Sequence, residues 1–338
     1  MSILTTLQTT ITGPWFDIGN KHIIKCIIYM SILVGLFATQ LIVDSWLWFL
    51  YKWTIVIKSK HYYRKIQQAQ KMQSVVNIWI NEFLLWTITR EDIQIIFEGE
   101  DMKVNEKSQV IICNHRSIID YTMIQHLFGA ENVVFASWRR LMKYPSLIHF
   151  WSIFRNNENA AVSVSTFKKY KGLEKIVVFP EVNIFTPEVK LIERKLMKVK
   201  CKGLPVLHNV LYPRFGTFVN LIKALTNETS KRGLRMLEHL ILPSKSDYQE
   251  SINLVSLTII YYTISLKPSG EYKLEQTLPA LWDIWSLESP LIICVHSTNH
   301  NLDKLGRKKQ TQLESWLETQ WCAKDRLIES MELNVEVI

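Results

Sequence analysis

The stretch Val110-Ile111-Ile112-Cys113-Asn114-His115-Arg116-Ser117-Ile118-Ile119-Asp120 decides the fold. Val110, Ile111 and Ile112 are β-branched, and such side chains fit a pleated surface better than a helix. Their apolarity is unbroken, as in a strand buried on both faces. A polar turn follows, and then a helix-compatible stretch from Ser117 to Leu127. Further β-rich runs occur at Ile93–Phe97, Asn132–Ala136, Ile176–Phe179, Val206–Leu211, Leu254–Tyr262 and Leu291–Val295. Helix-compatible stretches lie between many of them, at Phe167–Gly172, Glu188–Lys198 and Thr217–Leu225. This alternation predicts an α/β body whose central, mostly hydrophobic β-sheet is flanked by helices. The tail Gln310–Glu332 reads as a charged amphipathic helix.

Composition narrows the class. With 48% hydrophobic and 21% charged residues among 338, the chain is not disordered. Lys and Arg total 40 against 31 Asp and Glu, a formal charge of +9 that suits an anionic partner such as lipid headgroups, nucleic acid or a phosphorylated substrate. No Gly-aromatic RNA motif, zinc finger or helix-turn-helix pattern supports nucleic acid, so no nucleic-acid partner is expected. The cysteines, Cys26, Cys113, Cys201, Cys294 and Cys322, are scattered without a CxxC pair. Neither a disulfide framework nor a metal site is indicated.

The N-terminus has another character. His22 to Val43 carries one charge, Lys25, and is long enough as a helix to cross a bilayer core. Ser45–Ile57 is a second, shorter apolar stretch rich in Trp. Its length suits an interfacial or re-entrant helix. Lys58, Lys60, His61, Arg64, Lys65 and Lys71 follow, a basic run of the kind found on the cytoplasmic side of a membrane segment. Residues 66–90 read as helical, with Ile66, Val75, Val76, Ile78, Trp79, Phe83 and Leu84 as the apolar set. Buried helices of a soluble fold are the other reading of the two apolar segments. The expected organisation is a membrane-anchoring helical region over residues 1–90 and one α/β domain over residues 91–338.

His115 sits where a strand ends and a helix begins, and open α/β sheets bind ligands at such ends. Histidine is the side-chain type suited to a general base near neutral pH. Asp120, five residues on, can accept from the other ring nitrogen if the turn brings it round, which fixes the tautomer. Alternatively, His115 is a surface histidine beside a helix-capping aspartate. A second strand end, Val177-Val178-Phe179-Pro180-Glu181, places a carboxylate where it could accept hydrogen bonds from a polyol hydroxyl; a surface glutamate is the plainer reading.

Asn114-His115-Arg116-Ser117-Ile118-Ile119-Asp120-Tyr121 followed by Val177-Val178-Phe179-Pro180-Glu181 resembles the NHx4D and FPEG boxes of the glycerolipid acyltransferases. Further matches extend the resemblance. These are Asn183–Thr186, the Lys-rich helix after it, Gly203-Leu204-Pro205, Tyr212-Pro213-Arg214-Phe215-Gly216 and the tail Trp316…Trp321-Cys322-Ala323-Lys324-Asp325. Together they most resemble the lysocardiolipin and lysophosphatidylinositol acyltransferase branch, as a divergent member of fungal type.

The resemblance implies acyl transfer from acyl-CoA, a co-substrate and not a resident cofactor, to the hydroxyl of a lysophospholipid or glycerol-phosphate acceptor. It makes His115 and Asp120 catalytic. It places Asn114, Arg116, Ser117, Phe179, Pro180 and Glu181 at the substrate. Arg155 and Arg214 become candidates for holding phosphate, as a guanidinium fork suits. It further implies residence in a membrane, that of the endoplasmic reticulum, with the site facing the cytosol. Several positions depart from the pattern. Val182 stands in place of the usual Gly, Asn183 in place of Thr and Tyr212 in place of His, and the glycine expected upstream of Arg155 is absent. These departures leave the His115–Asp120 pair intact and bear on substrate placement. A lipid-binding relative without turnover is the alternative they raise.

Overall fold

A computed structural model describes residues 21–56, 60–88, 93–100, 108–137, 140–142, 161–169, 174–200, 204–225, 253–266, 272–285 and 290–336. The box around Arg155, Lys143–Arg155, lies outside these residues, as does Cys201.

Among the described residues the body is an eight-stranded mixed sheet. Its strands are β1 (Ile93–Gly99), β2 (Ser108–Cys113), β3 (Val133–Ser137), β4 (Arg140–Met142), β5 (Lys175–Val178), β6 (Asn253–Leu266), β7 (Tyr272–Thr277) and β8 (Leu291–Asn301). Their order is β1-β8-β6-β2-β5-β3-β4, with β7 on the far part of β6. β2 lies between β5 and β6 and runs parallel to both, with Ile112 beside Val178 and Cys113 beside Leu257. β6 and β8 pair antiparallel over eleven residues of each strand, from Asn253–Asn301 to Thr263–Leu291.

Helices cover both faces. They are α1 (Lys21–Val56), α2 (Lys60–Ile88), α3 (Ile119–Phe128), α4 (Val164–Lys169), α5 (Pro187–Lys200), α6 (Phe215–Leu225), α7 (Leu281–Trp285), α8 (Leu302–Gly306) and α9 (Gln310–Glu336). Alternation along the strands sorts the core. Val110, Ile112, Val178 and Ile260 join Phe218, Trp321 and Ile328 of α6 and α9 on one side. Ile111, Cys113, Val177 and Ile259 join Ile119 and Ile124 of α3, with Cys26, Leu33, Val76 and Ile80 of α1 and α2, on the other. The α1–α2 hairpin therefore shares a core with the sheet.

Three local expectations change. First, α1 is one continuous helix, not a span followed by a separate short segment. Asp44, which reads as an interruption, stays within the helix and accepts from Gln73 Nε2 of α2 at 2.5 Å. Within α1, Cys26–Leu50 is long and apolar enough to cross a membrane. Second, Val206–Leu211 is not a strand. Pro205 and Pro213 bracket it, and side chains from helices take up its backbone N–H groups: Asp325 those of His208 and Asn209, and Glu193 that of Tyr212. Third, β4 and β7 join the sheet without having been visible in the sequence. β4 is three residues long, and β7 (Tyr-Lys-Leu-Glu-Gln-Thr) is mostly polar.

Candidate active site

β2 and β5 are neighbours that end at the same edge of the sheet, so their exit loops meet. His115 leaves β2 and Glu181 leaves β5. The loops are stitched together where Phe185 N–H donates to His115 O at 2.7 Å.

His115 Nδ1 lies 2.9 Å from Asp120 Oδ2. The same oxygen accepts from the backbone N–H groups of Arg116 and Ser117, at 2.6 and 2.9 Å. Asp120 Oδ1 accepts from the Tyr261 hydroxyl at 2.5 Å. Asp120 is fully buried, so a carboxylate taken out of water is held by four donors, as burial of charge demands. An ionised Asp120 makes Nδ1 the protonated nitrogen and leaves the Nε2 lone pair open. Nε2 makes no hydrogen bond to any described residue. The ring plane is fixed by Phe179, stacked at 4.3 Å between centroids, and by the edge of Tyr121 at 5.3 Å. Burial and the nearby Asp120 charge push the Tyr261 hydroxyl pKa well up, so it stays a donor.

Asn114 holds the loop to the sheet. Its Nδ2 donates to Ile259 O at 2.9 Å, and its Oδ1 accepts from Ile259 N–H at 2.8 Å. The carboxamide thus extends the β2–β6 ladder by one rung after the β2 backbone has turned away. Ser117 caps the first turn of α3: its Oγ donates to Pro279 O at 2.5 Å and accepts from Ile119 N–H at 3.2 Å. Arg116 is buried. Its Nη2 donates to Asn209 O at 2.6 Å, and its guanidinium lies 5.0 Å from the Phe185 ring centroid.

Glu181 turns inward. It is 2% exposed, and Oε1 accepts from Trp321 Nε1 of α9 at 3.1 Å. Oε2 is buried without a hydrogen-bond partner among the described residues. Burial pushes its pKa up to about 8, against the pull of Trp321, the backbone amides of His115 and Leu211, and the Arg116 guanidinium. At neutral pH Glu181 is therefore mainly the neutral acid, able to donate from one oxygen. Lys324, also buried, has its ammonium pushed down to about 8 by burial, with the neighbouring Cys113 and Glu181 opposing.

Glu181 binds its proton more tightly folded than unfolded, so its contribution is full below about pH 4.5 and is lost as pH rises towards about 8. The unfolding midpoint of the wild type should fall steadily across that window, because the unfolded chain releases the Glu181 proton first. Glu181→Gln should remove this slope. The depressed Lys324 acts in a separate window, adding stability between about pH 8 and 10.5.

Pro180 is buried, and its carbonyl accepts from Arg214 N–H at 2.8 Å, which brings the Pro213-Arg214 box beside the Glu181 turn. Burial pushes the pKa of Glu193 on α5 up, against the opposing pull of the Tyr212 N–H and the Arg214 charge. Val182 has φ of +66°, while Asn183 N–H donates to Glu181 O at 2.7 Å. That is a tight three-residue turn which costs a β-branched residue strain. The backbone here has the shape that glycine would take, with valine in its place. Val182→Gly should therefore stabilise the fold by about 1 kcal/mol, strain relief of roughly 1–3 less the entropic cost of glycine. A lower unfolding midpoint in the variant would contradict this.

Tyr261, Trp321, Lys324 and Asp325 were not singled out as site residues from the sequence. The last three showed one signal, a Trp, Lys, Asp spacing on a helix more than 100 residues away from the motif, and Tyr261 showed only its place in a β-rich run. Phe179, Pro180, Glu181 and Arg214 are brought to the His115 loop. Asn114, Arg116 and Ser117 are present there as buried, hydrogen-bonded supports.

A family model described as Acyltransferase matches residues 94–203. The chain is similar to a probable 1-acyl-sn-glycerol-3-phosphate acyltransferase 5 of Arabidopsis thaliana, 29% identical over 159 residues, which are 42% of this chain and 42% of that protein. It is also similar to a 1-acyl-sn-glycerol-3-phosphate acyltransferase 2 of the same plant, 26% identical over 183 residues, 48% of this chain and 45% of that protein. The chain thus spans less than half the length of the curated relatives it matches. No solved structure matches it. Residues 94–203, the segment that matches the Acyltransferase model, hold both the His115 loop and the Glu181 turn.

Proposed function

We propose that the protein transfers an acyl chain from acyl-CoA to the free hydroxyl of a lysophospholipid or glycerol-phosphate acceptor. The observation that carries this is the His115–Asp120 pair, with Nδ1 engaged at 2.9 Å and Nε2 left open. Nε2 takes the proton from the acceptor hydroxyl as that oxygen attacks the thioester carbonyl. The C–O bond forms, the tetrahedral oxyanion collapses and the C–S bond breaks. The imidazolium returns its proton to the departing CoA thiolate. No acyl-enzyme and no metal enter this route.

The apolar outer side of α1 supports a membrane-resident acceptor. Val34, Ile42 and Trp48 there are 61%, 70% and 63% exposed, more than a water-facing helix usually displays. Residence in the endoplasmic reticulum, a cytosolic site and the lysocardiolipin or lysophosphatidylinositol type of acceptor belong to the same reading.

The test is the full-length protein in liposomes, given labelled acyl-CoA and a panel of lysophospholipids with glycerol 3-phosphate. Labelled phospholipid that fails to form with His115→Ala is the expected result. Lipid binding without transfer to any acceptor would overturn the reading and make the protein a lipid-binding relative.

A further inference from the structure

We propose that one face of α9, formed by Trp321, Lys324 and Asp325, is the positioning element of the His115 site. The claim rests on the acyl-transfer reading and adds to it residues beyond the matched segment 94–203. The spacing i, i+3, i+4 puts the three side chains on one side of a helix. Each holds a different part of the site.

Trp321 Nε1–H donates to Glu181 Oε1 at 3.1 Å and so fixes the turn after β5. Lys324 Nζ donates to Leu257 O and, at 3.1 Å, to Thr258 Oγ1. Leu257 and Thr258 directly precede Ile259, which clasps Asn114, and Tyr261, which holds Asp120. Asp325 Oδ1 accepts from the N–H groups of His208 and Asn209 at 2.8 and 2.5 Å, while its carbonyl accepts from Asn209 Nδ2 at 3.2 Å. Asn209 O in turn accepts from Arg116, the residue after His115. The β5 turn, strand β6 and the Arg116 support therefore converge on three residues within one turn and a half of a single helix. None of the three side chains is exposed enough to serve as a surface charge: Trp321 is 0%, Lys324 4% and Asp325 7% exposed.

Positioning differs from plain support in what it costs to remove. Lys324→Met removes a buried charge, whose desolvation opposes folding, and leaves Leu257 O and Thr258 Oγ1 without that donor, so the two effects on the fold offset in part. Its expected effect is an unfolding midpoint within a few degrees of the wild type, with kcat for transfer lowered about 10- to 100-fold, the penalty of a small misplacement. Trp321→Phe keeps a ring in the core and removes only the N–H. It should raise KM for the lysolipid acceptor about tenfold and leave acyl-CoA hydrolysis by water within about twofold, because only the Glu181 side is released. Steady-state kinetics and thermal unfolding of the full-length variants in liposomes read both effects.

Variants that fold and show wild-type kcat and KM overturn the positioning role. So does activity that falls only in step with the unfolding midpoint, with transfer and hydrolysis reduced alike. A wild-type protein that transfers no acyl chain overturns the acyl-transfer reading itself, and the positioning claim falls with it.

Discussion

His115→Ala is expected to lower kcat for acyl transfer by about 10²- to 10⁴-fold, the contribution of a positioned general base. A lipid hydroxyl is a poor nucleophile until its proton has somewhere to go. Among the described side chains at this edge of the sheet, His115 alone combines an open nitrogen with a carboxylate on the opposite side of the ring. Asp120 has both oxygens engaged by donors, and Glu181 is mainly a neutral acid at pH 7. Neither can take over as base. The cost to the fold should be modest. The alanine leaves a gap beside Phe179 and forfeits one aromatic stack, worth about 0.5–1.5 kcal/mol beyond burial. Single-turnover transfer in liposomes, with the unfolding midpoint recorded in parallel, checks both halves. Turnover within about threefold of wild type would remove His115 from the chemistry.

Asp120 should show the opposite balance between its two natural substitutions. Asp120→Ala takes the acceptor away from three N–H donors and the Tyr261 hydroxyl inside the core, a loss of about 3–5 kcal/mol that threatens folding itself. Asp120→Asn keeps the volume and one acceptor oxygen, and Tyr261 can turn to accept from the new amide, so the fold should largely survive. Activity should not survive. The amide oxygen still accepts from Nδ1–H, but without the negative charge the developing imidazolium is not stabilised. A loss of up to about 10⁴-fold in kcat is the scale for an equivalent change in hydrolytic triads. Thermal unfolding separates the two variants, and acyl transfer unites them. A folded Asp120→Asn protein within tenfold of wild-type kcat would refute the orienting role.

The parts of this structure written locally in the chain could be read from it. Val110–Cys113 and Val177–Phe179 announce buried strands because β-branched runs with no polar interruption have no other comfortable place. The five-residue spacing from His115 to Asp120 survives because a turn followed by one helical turn returns the carboxylate to the ring. Long-range satisfaction of polar groups was not readable. Glu181 read as a carboxylate at a strand end, and nothing nearby in sequence shows that Trp321 lies against it. Arg116 read as a residue at the substrate, and its tie through Nη2 to Asn209, 93 residues on, was not visible. Val206–Leu211 had strand composition, yet its N–H groups are met by Asp325 and Glu193, and a strand needs a neighbouring strand more than it needs valine. Asp44 looked like a break because its partner, Gln73, belongs to a different helix.

The position of β2 between β5 and β6 has a consequence for biosynthesis. One neighbour is made about 60 residues after β2 and the other about 140 after it, so β2 waits on the ribosome half-paired. Its apolar edge is open until β6 emerges, and such edges recruit other chains. Pairings this distant in sequence are slow to find. A nascent chain stalled before residue 253 would accordingly aggregate or be degraded rather than idle as a partly working enzyme, and a premature stop codon there should act as a null allele.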